Sequence, residues 1–162
     1  MRKLLAGLLS LLIGLVLVSA FVQAAKPIPD GVEQIADLTL THTQMTSANQ
    51  VVLVPAIPGK LLEYVSSQII LHVVTPYGAG SNATITYADA APNYWQVVYN
   101  LGTGFWTSTQ NQYFTDHGNP SLWMPLSVAQ GKALVLDTFG GFFGGDPGNT
   151  ATVHLVYRVW SP

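Results

Sequence analysis

The residue types needed for catalysis are all present, but none sits in a catalytic spacing. Nucleophilic catalysis requires a nucleophile, a base and an orienting group brought together. Serines, four histidines and aspartates occur, yet no Gly-x-Ser-x-Gly elbow surrounds any serine. His42, His72, His117 and His154 lie far apart without the paired spacing of a zinc site, and His42 and His154 fall on the polar faces of their strands. Asp116-His117-Gly118-Asn119 and Asp146-Pro147-Gly148-Asn149 place oxygen donors on glycine loops, the raw material of a calcium site. Both lack the repeated Asp spacing of a dedicated calcium loop and read more simply as turns. There are no cysteines, which removes disulfides, thiolate chemistry and Cys-based zinc. The expectation is a non-enzymatic chain with no catalytic residues, no metal site and no cofactor.

Binding is the chemistry that the aromatic residues support. Tyr94, Trp95, Tyr99, Phe105, Trp106, Tyr113, Phe114 and Trp123 crowd into one stretch. Among them Tyr94, Trp95, Trp106, Tyr113 and Trp123 are candidate binding residues: exposed rings beside Asp, Asn and Gln would form a sugar-stacking platform or a protein hot spot. The same rings could equally fill the core and cap one end of the domain. Asn82-Ala83-Thr84 matches the three-residue glycosylation pattern, a signal of low specificity.

Charge narrows the partners. Only 9% of residues are charged against 49% hydrophobic, so the surface must draw its polarity from Thr, Ser, Asn, Gln and Gly. Such a surface has little electrostatic protection against association, which favours a homo-oligomer or assembly with a partner protein. Outside Arg2 and Lys3, the basic residues Lys26, Lys60, Lys132 and Arg158 are scattered singly. Phosphate binding needs such residues clustered, so nucleic acid is not an expected partner.

The elements that must carry these residues begin with an N-terminal targeting segment. Met1-Arg2-Lys3, an uncharged apolar run over residues 4–22 and Gln23-Ala24-Ala25 reproduce the three regions of a secretory signal. Val22-Gln23-Ala24 offers cleavage before Ala25, and Val18-Ser19-Ala20 offers a second site. Left uncleaved, residues 4–22 are long enough to span a bilayer as an anchor. In either case the remainder is exported, with Arg2 and Lys3 left inside. Residues 26–37 read as a proline-rich linker, with at most one short helical turn over residues 32–37.

From Leu38 the hydrophobic period is two. Leu38 and Leu40, then Ala83, Ile85 and Tyr87, then Val153, Leu155, Tyr157 and Val159 alternate with polar residues, as half-buried strands do. The runs 51–54, 65–74 and 133–136 are apolar on both faces or irregular, which suits central strands, with a bulge near Ser66-Ser67. Turn chemistry recurs at residues 55–59, 76–80, 91–93, 117–120 and 140–148. Six to eight short strands at this spacing predict an all-β antiparallel sandwich or jelly-roll-like domain over residues 38–162.

Three phrases extend the reading. Leu53-Val54-Pro55-Ala56-Ile57-Pro58-Gly59-Lys60, Gly131-Lys132-Ala133-Leu134-Val135-Leu136, and Gly144-Gly145-Asp146-Pro147-Gly148-Asn149 running into Val153-His154-Leu155-Val156-Tyr157-Arg158-Val159 occur in that order. Together, over about residues 50–160, they resemble small β-rich structural proteins of tailed bacteriophages and prophages. That resemblance implies a virion component such as a decoration, spike or tail-associated subunit, without catalytic residues. Residues 1–25 depart from the pattern, because capsid-associated subunits assemble in the cytoplasm. They point instead to a membrane-containing virion, a phage-encoded host-surface protein or an extracellular subunit. The alternative function is an extracellular glycan- or protein-binding module.

Overall fold

A computed structural model of the chain describes residues 28–47, 50–80, 82–89, 99–101, 103–117, 125–138 and 141–162. The segment expected to target the chain, with its apolar run 4–22, lies outside these residues. Among the described residues, ten strands and three short helices follow in the order β1 (Glu33–Thr41), α1 (His42–Thr46), β2 (Val51–Val54), β3 (Leu61–His72), β4 (Tyr77–Gly80), β5 (Ala83–Tyr87), β6 (Tyr99–Leu101), α2 (Thr103–Trp106), β7 (Gln112–His117), α3 (Leu126–Ala129), β8 (Leu134–Asp137), β9 (Phe142–Gly144) and β10 (Thr150–Trp160). No described helix is long and apolar enough to cross a membrane.

All recorded pairings are antiparallel. The long sheet has the order β1-β10-β3-β7, the short sheet β2-β8-β5-β6, and β4 and β9 form a separate two-stranded ribbon. Alternation decides what each strand buries. On β10, Ala151, Val153, Leu155 and Val159 point inward, joined by Leu40 of β1 and Leu62, Ile69 and Leu71 of β3. Leu53, Ile85, Tyr87, Leu134 and Leu136 of the short sheet belong to the same hydrophobic cluster. The Tyr87 hydroxyl donates to the Leu62 carbonyl, tying β5 of one sheet to β3 of the other. Each aliphatic side chain taken out of water here stabilises the fold by roughly 1.5–3 kcal/mol.

The structure corrects the sequence reading in several places. β1 begins at Glu33, so residues 33–37 are strand rather than linker or helical turn. Gln34, Ala36, Leu38 and Leu40 face inward while Glu33 and Asp37 face outward onto cross-strand partners Arg158 and His154. The helical turn comes after β1 instead. Thr41 caps α1 by accepting from the Gln44 N–H, and the Gln44 side chain accepts from the Thr41 N–H, a capping box. Residues 76–80 and 140–148, expected only to turn the chain, supply β4 and β9. Paired glycine-rich strands leave little side chain to betray a period. β7 runs through Asp116 and His117, which were expected in a loop. The bulge falls next to its expected place: Val156 pairs with Ser66 and Tyr157 with Tyr64, so Val65 is the extra residue.

Candidate interaction surface

The outward face of the long sheet can be read row by row from its register. Thr41, Thr150 and His72 form the first row; Thr39, Thr152, Ile70 and Tyr113 the second; Asp37, His154, Gln68 and Thr115 the third; Ile35, Val156, Ser66 and His117 the fourth. Glu33, Arg158 and Glu63 close one end. No residue in these rows is buried, so the face is open across all four strands. Its full charges are few and mostly paired. Arg158 lies 2.6 Å from Glu33 and 3.5 Å from Glu63, and Trp160 Nε1 donates to Glu63 at 2.7 Å. His154 Nδ1 lies 2.6 Å from Asp37. What remains is a belt of threonines with Ile35, Ile70, Val156 and Tyr113 among them, a surface depleted in charge as interface cores are.

The short sheet is built differently. Thr84, Thr86 and Val135 alternate with the core residues Ile85, Leu134 and Leu136, yet all three are buried as well. Its central strands are therefore covered on both faces, as the apolar character of residues 133–136 suggested. Burial of Thr84 also places the Asn82-Ala83-Thr84 pattern at the start of a covered strand.

The expected binding aromatics separate. Trp106 is wholly buried, stacked on Phe142 at 4.8 Å and met edge-on by Phe105 at 4.9 Å. Phe142 packs in turn on Tyr77, and Tyr77 on His42, giving a column of packed rings. Trp106 thus packs as a core residue and presents no stacking face. Tyr113 is 60% exposed on the open face. Tyr94, Trp95 and Trp123 lie outside the described residues.

Polar clusters resolve into structural devices. Tyr64 donates to Asp116 at 3.0 Å and shares a 2.8 Å hydrogen bond with Ser67, which is almost fully buried. Burial pushes the Tyr64 phenol well above its ordinary value, the Ser67 hydrogen bond opposes this, and the Asp116 charge adds to it. The cluster ties the bulge in β3 to β7. In the Asp146 loop, the Gly148 N–H donates to Asp146 Oδ1 at 2.7 Å and the Asn149 N–H to the Asp146 carbonyl at 2.9 Å, a turn held by its own aspartate. Buried Asn149 accepts from the Val74 and Thr75 N–H groups at 2.7 and 3.3 Å and donates to the Thr75 carbonyl at 2.7 Å. Among the described residues no group of three or more His, Asp and Glu side chains converges as metal ligands do.

The histidines differ from expectation in one case. His154 is on the outward face as the strand period required, but His42 opens α1, lies parallel to the Tyr77 ring and has a buried Nδ1 with no hydrogen-bond partner. His72 and His117 join His154 on the open face, a grouping that only the strand register reveals.

No family model and no curated protein matches the chain. In structure it is similar to the capsid of Ralstonia phage GP4, at 14% identity over 83% of this chain and 90% of that one, with a TM-score of 0.48.

Proposed function

We propose that the chain is an exported, non-enzymatic jelly-roll subunit of a virion-like or cell-surface assembly, with the outward face of its long sheet as the contact surface. The strand order supports the fold. β1 pairs with β10, β2 with β8, β3 with β7 and β5 with β6, the nested pattern of one long antiparallel ribbon. Rolled over, that ribbon sets β3 beside β10 and β5 beside β8, which gives the two four-stranded sheets. Eight strands wound in this way make a jelly roll, an architecture used by viral capsid and lectin domains.

The observation that carries the assembly reading is the open, threonine-rich face of the long sheet. A sheet face four strands wide whose charges are mostly paired resists association weakly, and a low-charge chain offers little repulsion elsewhere. The three sequence phrases that resemble tailed-phage structural proteins agree with this reading, and the N-terminal targeting segment favours assembly outside the cytoplasmic membrane.

Thr152 lies at the centre of the face, between Thr39 and Ile70. Thr152→Arg introduces a charge there without touching the core. The variant is expected to fold normally by circular dichroism and to drop out of the particle- or envelope-bound fraction of producing cells. Undiminished incorporation would show that this face makes no contact.

A further inference from the structure

We propose that β1 pairs with β1 of a second copy of the chain, antiparallel about a two-fold axis at Ala36, joining two long sheets into one of eight strands. The inference rests on the assembly reading above and gives it a partner and a register.

β1 is an edge strand: β10 occupies one side of it, and it ends the sheet. Exposed edges invite pairing with another chain, and proteins ordinarily blunt them with bulges, prolines, lysines or short length. The other free edges are blunted or shorter. β2 breaks register after Val52 and runs into Pro55, β6 has three residues, β7 six, and the ribbon strands three or four. β1 has nine residues in unbroken register, with no proline, lysine or bulge. Its two acids are already held, Glu33 by Arg158 and Asp37 by His154, each at 2.6 Å. Between them Ile35 is 70% exposed.

Charge narrows the register. Directly opposed residues of an antiparallel pair face the same side, so a two-fold axis perpendicular to the sheet must pass between a residue and its own copy. Centring on Ile35 would oppose Glu33 to Asp37, and centring on Asp37 would oppose that residue to itself. Centring on Ala36 opposes Ile35 to Asp37 and Glu33 to Thr39, so no like charges meet; centring on Leu38 also keeps like charges apart but leaves Glu33 outside the paired span.

The chain contains no cysteine, so disulfide trapping in the full-length protein has no background. Ala36→Cys is expected to oxidise to a reducible species of twice the mass of the reduced chain. Thr115→Cys, on the opposite edge strand, should remain single under the same conditions. Ile35→Glu faces Asp37 of the second copy twice per dimer and should raise the dimer dissociation constant about tenfold. Ile35→Lys, facing the same aspartate with opposite charge, should not weaken the dimer. A parent protein that stays monomeric at tens of micromolar, equal cross-linking at positions 36 and 115, or equal weakening by both Ile35 variants would overturn the proposal. A monomer that still joins particles or envelopes would sink this pairing and leave the assembly reading intact; a dimer absent from both would do the reverse.

Discussion

Single residues hold this fold at points that neighbouring sequence does not announce. Asn149 ends a phrase that reads correctly as a turn, but its partners are the backbone of Val74 and Thr75, some seventy-five positions away. Asn149→Ala would remove the partner of two part-buried donors and an acceptor and should cost about 1–3 kcal/mol, measured from the urea midpoint at constant slope. Tyr87 shows the same logic in its titration. Burial, reinforced by the charge of Glu63, pushes its phenol up to about 12. A raised tyrosine pKa means that the folded state holds the proton more tightly than the unfolded one. The resulting stability is complete below about pH 10, the unfolded value, and is lost as pH rises through the folded value. Absorbance titration should therefore find Tyr87 and Tyr64 still protonated above about pH 10, the ordinary tyrosine value, with unfolding as the alkaline limit approaches. Ionisation of Tyr87 and Tyr64 near pH 10 in a folded protein would contradict this.

At the scale of elements, legibility followed side-chain period. β5, β8 and β10 were readable because alternation or continuous burial leaves a strong mark, and the bulge at Val65 was signalled by the break beside Ser66-Ser67. β4 and β9 were not, because their glycines bury no side chains and carry no period. α1 was missed although Thr41 and Gln44 spell a capping box; five residues are too few for a helical period to emerge. What positions β9 is a close approach. Gly141 adopts φ +81°, and a Cβ there would stand 2.3 Å from the Thr46 carbonyl oxygen at the end of α1. Gly141→Ala should cost about 3 kcal/mol or more, from left-handed strain plus overpacking. Gly59 has a similar φ, +73°, but open space around it, so Gly59→Ala should cost only about 1–2 kcal/mol. Equal losses in the two melting curves would contradict the proposed contact between α1 and β9.

For the whole molecule, the all-β class was legible from the two-residue period, whereas strand order was not, since every antiparallel arrangement shares that period. The open face was invisible for the same reason: Thr39, Thr152, Ile70 and Tyr113 come from four distant segments and become neighbours only through register. Of the five aromatics that the sequence offered for binding, Trp106 went to the core and Tyr113 to this face. A crowded run of rings cannot by itself say which side of a strand each will occupy. The direct measurement is density-gradient fractionation of producing cells, with quantitative mass spectrometry of the chain across soluble, envelope and particle fractions. The account predicts that the chain peaks with particles or envelopes, outside the cytoplasmic membrane and at constant stoichiometry to their other proteins. A chain found wholly as free monomer in the cytoplasmic fraction would contradict it.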